Sequence, residues 1–84
     1  MNIKKEKPQG LGLQVAQSLA SAILEGQFKG GVQLVEQELQ VFFGVSRSPL
    51  REAFRELEKR GLVVIVPRKG TFVRAVTRKD IEDN

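Results

Sequence analysis

Arg47, Arg51 and Arg55 recur at intervals of four, in a segment that also carries Lys59, Arg60, Arg68, Lys69 and Arg74. Guanidinium groups set in a row suit one chemistry above others, because they donate paired hydrogen bonds to phosphate oxygens and to the acceptor edge of guanine. The groups that nucleophilic and metal chemistry usually require are missing: the chain has no histidine and no cysteine. Disulfide staples, thiolate zinc sites and Ser-His or Cys-His catalysis are thereby excluded, and the lack of cysteine fits a reducing cytoplasm. Carboxylates remain, but no pair of them stands in a recognisable catalytic arrangement and none has metal-ligand spacing, which argues against a hydrolase. The expectation is a protein that is not an enzyme and that uses neither cofactor nor metal.

The charge is unevenly placed. From Ser46 to Arg74 eight cations face only Glu52, Glu56 and Glu58, a balance of +5 in a chain whose net charge is +4, so the remainder sums to −1. Such asymmetry is the footprint of a face offered to a polyanion, and the fold must separate DNA from RNA or acidic membrane. With 84 residues there is room for one small domain, which buries roughly 60–65% of its unfolded surface and spares little for a deep cavity. Hydrophobic residues at 40% and charged residues at 29% are the composition of a soluble globular domain. The longest apolar run, Leu62 to Val66, is far short of the roughly 20 residues a spanning helix needs, and no apolar signal segment follows Met1. The reading is a cytoplasmic protein with no membrane partner.

Periodicity supplies the elements that must position these cations. Residues 1–10, with Lys4, Lys5, Lys7 and Pro8, read as a flexible arm. Val15, Leu19, Ala22 and Ile23 form one apolar stripe on a helix over 13–25 that Gly26 should stop. Val32 to Val35 follows a glycine-rich turn and suits a short extended stretch; Glu36 to Phe43 reads as a second helix with Leu39, Phe42 and Phe43 facing inward. Gly44-Val45 breaks it. A third helix starts between Ser46 and Pro49, with either serine as its cap, and Leu50, Ala53, Phe54 and Leu57 carry it to Gly61. After Gly61 the residues turn β-branched or aromatic, and Leu62 to Val66 with Thr71 to Val73 flank Pro67-Arg68-Lys69-Gly70 as a hairpin. The resulting fold class is α+β, a three-helix core plus C-terminal wing: a winged helix-turn-helix. The domain is placed at 11–76, and 77–84 pairs a cap at Thr77 with Asp80 as the start of a further helix.

On the third helix a step of four residues turns by about 40°, so the three arginines make a ridge beside the apolar stripe. Arg47 and Arg51 stand near the helix start, where the dipole disfavours cations by ~0.3–1 kcal/mol and each like-charged pair costs roughly 0.2–0.5 kcal/mol. A purely structural helix would avoid both terms, whereas bound phosphate or guanine would reverse them. Arg55, Lys59 and Arg60 carry less weight, since Glu56 stands four before Arg60 and cations suit a helix end. Arg68 and Lys69 put positive charge on a slim hairpin tip before Gly70. Phe42, Phe43 and Phe54 fit core positions rather than a base-stacking platform. Gly10-Leu11-Gly12 lacks the lysine and third glycine of a nucleotide loop.

The strings Leu34-Val35-Glu36-Gln37-Glu38-Leu39 and Gly44-Val45-Ser46-Arg47-Ser48-Pro49-Leu50-Arg51-Glu52-Ala53, with Leu57, Gly61-Leu62-Val63 and 67–73, resemble the DNA-binding domain of GntR-family bacterial transcription regulators. The resemblance covers about Val15 to Val73. It implies that Arg47 and Arg51 read bases and hold phosphate, with Ser46, Ser48 and Pro49 along the backbone where the helix begins. It implies further that Arg68, Lys69 and Gly70 form a wing tip for the minor groove. Gln37 matches a position where relatives can carry a base-contacting arginine, so an altered operator preference is implied. Departures are Gly30, where proline is usual, and Gln40, where a small alanine usually packs; both are expected to loosen the fold locally. The implied partners are a pseudo-palindromic double-stranded operator and a second copy of the chain. A C-terminal sensor domain of the FadR-like branch, not in these 84 residues, would supply the dimer contact and bind a small-molecule effector. The rival reading is a winged-helix protein-interaction module using the basic face.

Overall fold

The computed structural model describes residues 10–75. The elements run α1 (Leu11–Leu24), β1 (Gln33–Leu34), α2 (Glu36–Phe43), α3 (Arg47–Lys59), β2 (Val63–Val66) and β3 (Gly70–Val73). Residues 1–9 of the arm expected at 1–10, residue 76 of the domain expected at 11–76, and the segment 77–84 with its capping pair Thr77 and Asp80 lie outside the described residues. The three strands form one antiparallel sheet in the order β1-β3-β2, with Leu34 opposite Thr71 and Ile65 opposite Thr71 on its other side. The hairpin is the wing of a winged helix-turn-helix.

The core forms where the apolar stripes meet: Val15, Ala16, Leu19, Ala20 and Ile23 of α1 pack with Leu50, Ala53, Phe54 and Leu57 of α3, closed by Leu34, Leu62, Val63 and Val73. Ala22, expected in that stripe, is only half-buried. α1 begins two residues earlier than the periodicity predicts, because Gly12 is part of the helix contact. A Cβ at Gly12 would run into the Glu52 side chain and sit 3.2 Å from the Pro49 carbonyl, so the glycine lets α1 and α3 approach.

Phe42 departs from the expectation. Leu39 and Phe43, four apart, both lean on the core, whereas Phe42 is 78% exposed with its ring edge-on to Phe43 at 5.0 Å. Successive helix residues are about 100° apart, so a two-turn helix that buries Phe43 turns Phe42 outward. At the other end of α2, Gly44 adopts φ 66, a left-handed conformation that costs other residues ~1–2 kcal/mol. There the N–H of Val45 donates to the Gln40 carbonyl at 3.1 Å and that of Gly44 to Val41 at 3.3 Å, which ends α2 and turns the chain into α3. The same bond pair closes α1 after Ile23 and α3 after Glu58.

Gly30 lies where two chain segments pass closely, and a Cβ there would sit 2.7 Å from the Ala75 Cα. Beside it the Gly31 N–H donates to the Val73 carbonyl at 2.7 Å, extending the pairing of β1 with β3.

Candidate nucleic-acid interface

Ser46 is the N-cap residue of α3, in extended backbone geometry, and its side chain makes no capping hydrogen bond. The first amides of α3 therefore have no side-chain cap, which is the condition under which a helix start accepts an anion. Ser48 is exposed, and Pro49 is half-buried in the first turn, where its missing N–H costs nothing. Arg47 and Arg51 project from the same side with 66% and 53% of their side chains exposed. The sequence suggested that their charges stand uncompensated. Instead Glu36 of α2 lies between them: Arg51 Nε donates to Glu36 Oε2 at 2.9 Å, and Arg47 Nε is 3.8 Å from Oε1. The ion pairs offset the dipole and repulsion terms, so exposure and placement, rather than unrelieved strain, mark these two residues. Gln37 is exposed on the turn of α2 that carries Glu36.

Between α3 and the hairpin lies a groove of about 440 Å³, lined by Glu36, Arg51, Arg55, Arg68 and Lys69 over a floor that includes Phe54. Arg51 and Arg55 of the helix ridge and the wing tip, far apart in sequence, thus share one concave face, while Arg47 lies outside its lining. At the tip the Lys69 N–H donates to the Val66 carbonyl at 3.0 Å, closing a turn with Pro67 second and Arg68 third. Arg68 has φ 67, the only positive value for a non-glycine among the described residues.

Residues 11–73 match the model described as bacterial regulatory proteins, gntR family. The chain belongs to the GntR family. It is 42% identical over 82 residues to the uncharacterised HTH-type transcriptional regulator YdhC of Bacillus subtilis (strain 168), covering 98% of this chain and 37% of that protein. The HTH-type transcriptional repressor RspR of Escherichia coli (strain K12) is 33% identical over 75 residues, 89% of this chain and 33% of that one. The crystal structure of a GntR regulator from Rhodococcus sp. RHA1 superimposes with a TM-score of 0.75 at 38% identity, over 86% of this chain and 35% of that chain. The chain spans about a third of the length of the curated relatives it matches.

Within this GntR domain, three features of the interface escaped sequence reasoning. Glu36 was legible only as a carboxylate at a helix start, because its partners lie on another helix. Gln33 of β1 reaches the wing, its Nε2 donating to the Lys69 carbonyl at 3.3 Å, and a Cβ at Gly70 would collide with that amide. Gly70 thus leaves room for the Gln33 side chain beside the wing. Arg55, set aside with Lys59 and Arg60, lines the groove. Those other two behave as read: Arg60 Nε lies 3.0 Å and Lys59 Nζ 3.3 Å from the Glu56 carboxylate. Hydrogen bonds from Arg60 and then Lys59 hold the Glu56 carboxyl below the ordinary carboxylate range. Among the described residues no helix is long and apolar enough to cross a membrane, and no cluster of acidic side chains could hold a metal ion.

Proposed function

We propose that this chain is the operator-binding part of a transcription regulator, with α3 in the major groove and the wing in the adjacent minor groove. The observation that carries the reading is the convergence of Arg51, Arg55, Arg68 and Lys69 on one groove beside an uncapped helix start. Arg47 and Arg51 read bases and hold phosphate, Ser46, Ser48 and the amides near Pro49 seat the backbone, and Gln37 contacts the edge of the site. Arg68 and Lys69 enter the minor groove on a tip that Gly70 keeps slim.

The functional unit is residues 11–76, preceded by the arm at 1–10 and followed at 77–84 by a linker into a sensor domain of the FadR-like branch. That domain supplies dimerisation and binds a small effector, so two copies read a pseudo-palindrome. The much greater length of YdhC and RspR supports this extension. The test is selection of duplexes from a random-sequence library at physiological salt. An enriched pseudo-palindrome supports pairing on DNA, an enriched half-site assigns pairing to further sequence, and no enrichment refutes sequence-specific binding.

A further inference from the structure

Glu36 is the one carboxylate lining the groove between α3 and the wing among the described residues. It stands in the first turn of α2, where the helix dipole favours an anion, and only 28% of its side chain is exposed. Its position opposes a simple phosphate clamp, because it removes about one unit of the positive charge a polyanion would meet. Its contact is nevertheless selective. On Arg51 it takes Nε, and no hydrogen bond among the described residues engages either Nη atom. An Nη group and a fixed guanidinium plane remain available to a base edge while Glu36 keeps its hold.

We propose that Glu36 is a specificity-determining residue of the DNA-binding reading above, on which this inference rests. It restrains Arg47 and Arg51 for base recognition and weakens binding to DNA of any other sequence. Non-specific affinity comes from neutralising phosphates, which a free guanidinium reaches by swinging to the nearest one. A guanidinium already tied to Glu36 has to break that contact to do so. At the correct operator the tie persists, and the ordering it imposes has been made before binding. The carboxylate therefore acts more strongly against random DNA than against the operator, which widens the difference between them.

The experiment compares the full 84-residue chain with its Glu36→Gln and Glu36→Ala variants on two probes, the duplex enriched by library selection and a random duplex of equal length. Thermal melting checks that each variant is folded. Both variants should bind random DNA about threefold to tenfold more tightly. Their salt dependence on that probe should steepen by about one unit of log–log slope, and the ratio of the two affinities should fall. In a chain carrying Arg47→Ala and Arg51→Ala, the same changes at Glu36 should still tighten binding to both probes through charge alone, but should no longer alter the ratio of the two affinities. A folded variant with an unchanged affinity ratio overturns the proposal, as does a change in that ratio that persists without the two arginines. Failure of the unaltered chain to enrich any duplex instead overturns the DNA-binding reading itself.

Discussion

The two ends of α3 carry the same groups in opposite arrangements. Each has one carboxylate between two cations, Glu36 with Arg47 and Arg51 at the start, Glu56 with Lys59 and Arg60 at the finish. At the finish the set is local, with partners three and four residues along the same helix, and the cations stand where the dipole favours them. It forms as the helix forms. At the start the cations stand where the dipole opposes them, and the carboxylate comes from α2, fifteen residues before Arg51. That set exists only when α2 and α3 are docked. Charges at the finish serve the helix; those at the start are held by the fold, on the face proposed to meet DNA.

Docking is therefore the first thing to break. Leu50 is fully buried one residue before Arg51, and Leu50→Ala should cost about 2–5 kcal/mol in denaturant unfolding, depending on how far the site collapses. It should abolish binding through the fold, while leaving the Glu56 set to re-form in any residual helix. Next in size is the direct test of the contrast. Arg47→Ala or Arg51→Ala should each weaken binding to the selected duplex by about 1–3 kcal/mol, with little change in melting temperature. Lys59→Ala should change that affinity by less than about threefold, since a distant exposed charge is screened. Equal losses from both ends would erase the distinction.

Much of this arrangement could be read from the residues. The change from a period near 3.6 to β-branched runs at Gly61 located both α3 and the hairpin, and Gly44 marked the turn that aims α3. The features that escaped are those made by tertiary proximity. Glu36 beside Arg51, Gln33 beneath Gly70 and Gly12 against Pro49 each join elements whose separation no local spacing records. Phe42 escaped for another reason: in a helix of eight residues, two adjacent aromatics give no stripe long enough to choose between them. At the wing tip two residues have positive φ, Gly70 at 134 and, two residues earlier, Arg68 at 67, and only the first is a residue type that announces it.

That placement extends the contrast to the wing. A left-handed arginine is disfavoured by about 1–2 kcal/mol relative to residues suited to the region, and asparagine is among those suited. Arg68→Asn should thus raise stability by up to about 1 kcal/mol while weakening DNA binding and its salt dependence. A fall in stability on this substitution would show that Arg68 serves the turn rather than a ligand.

The smallest effect belongs to the finish of α3, and pH isolates it. Glu56 is held below the ordinary carboxylate range by its hydrogen bonds to Arg60 and Lys59. The folded state therefore binds its proton less readily than the unfolded state, and stability rises with pH across the interval between the two values. The contribution is fully present above the unfolded carboxylate value and is lost as the pH falls through the folded one. Glu56→Gln should then lower the melting temperature slightly at neutral pH and bring the two chains together in acid. DNA affinity at neutral pH should not follow, because neither Lys59 nor Arg60 lines the groove. If that substitution changed DNA affinity as strongly as Arg51→Ala, the two ends of α3 would be one functional unit and the division drawn between them would fail.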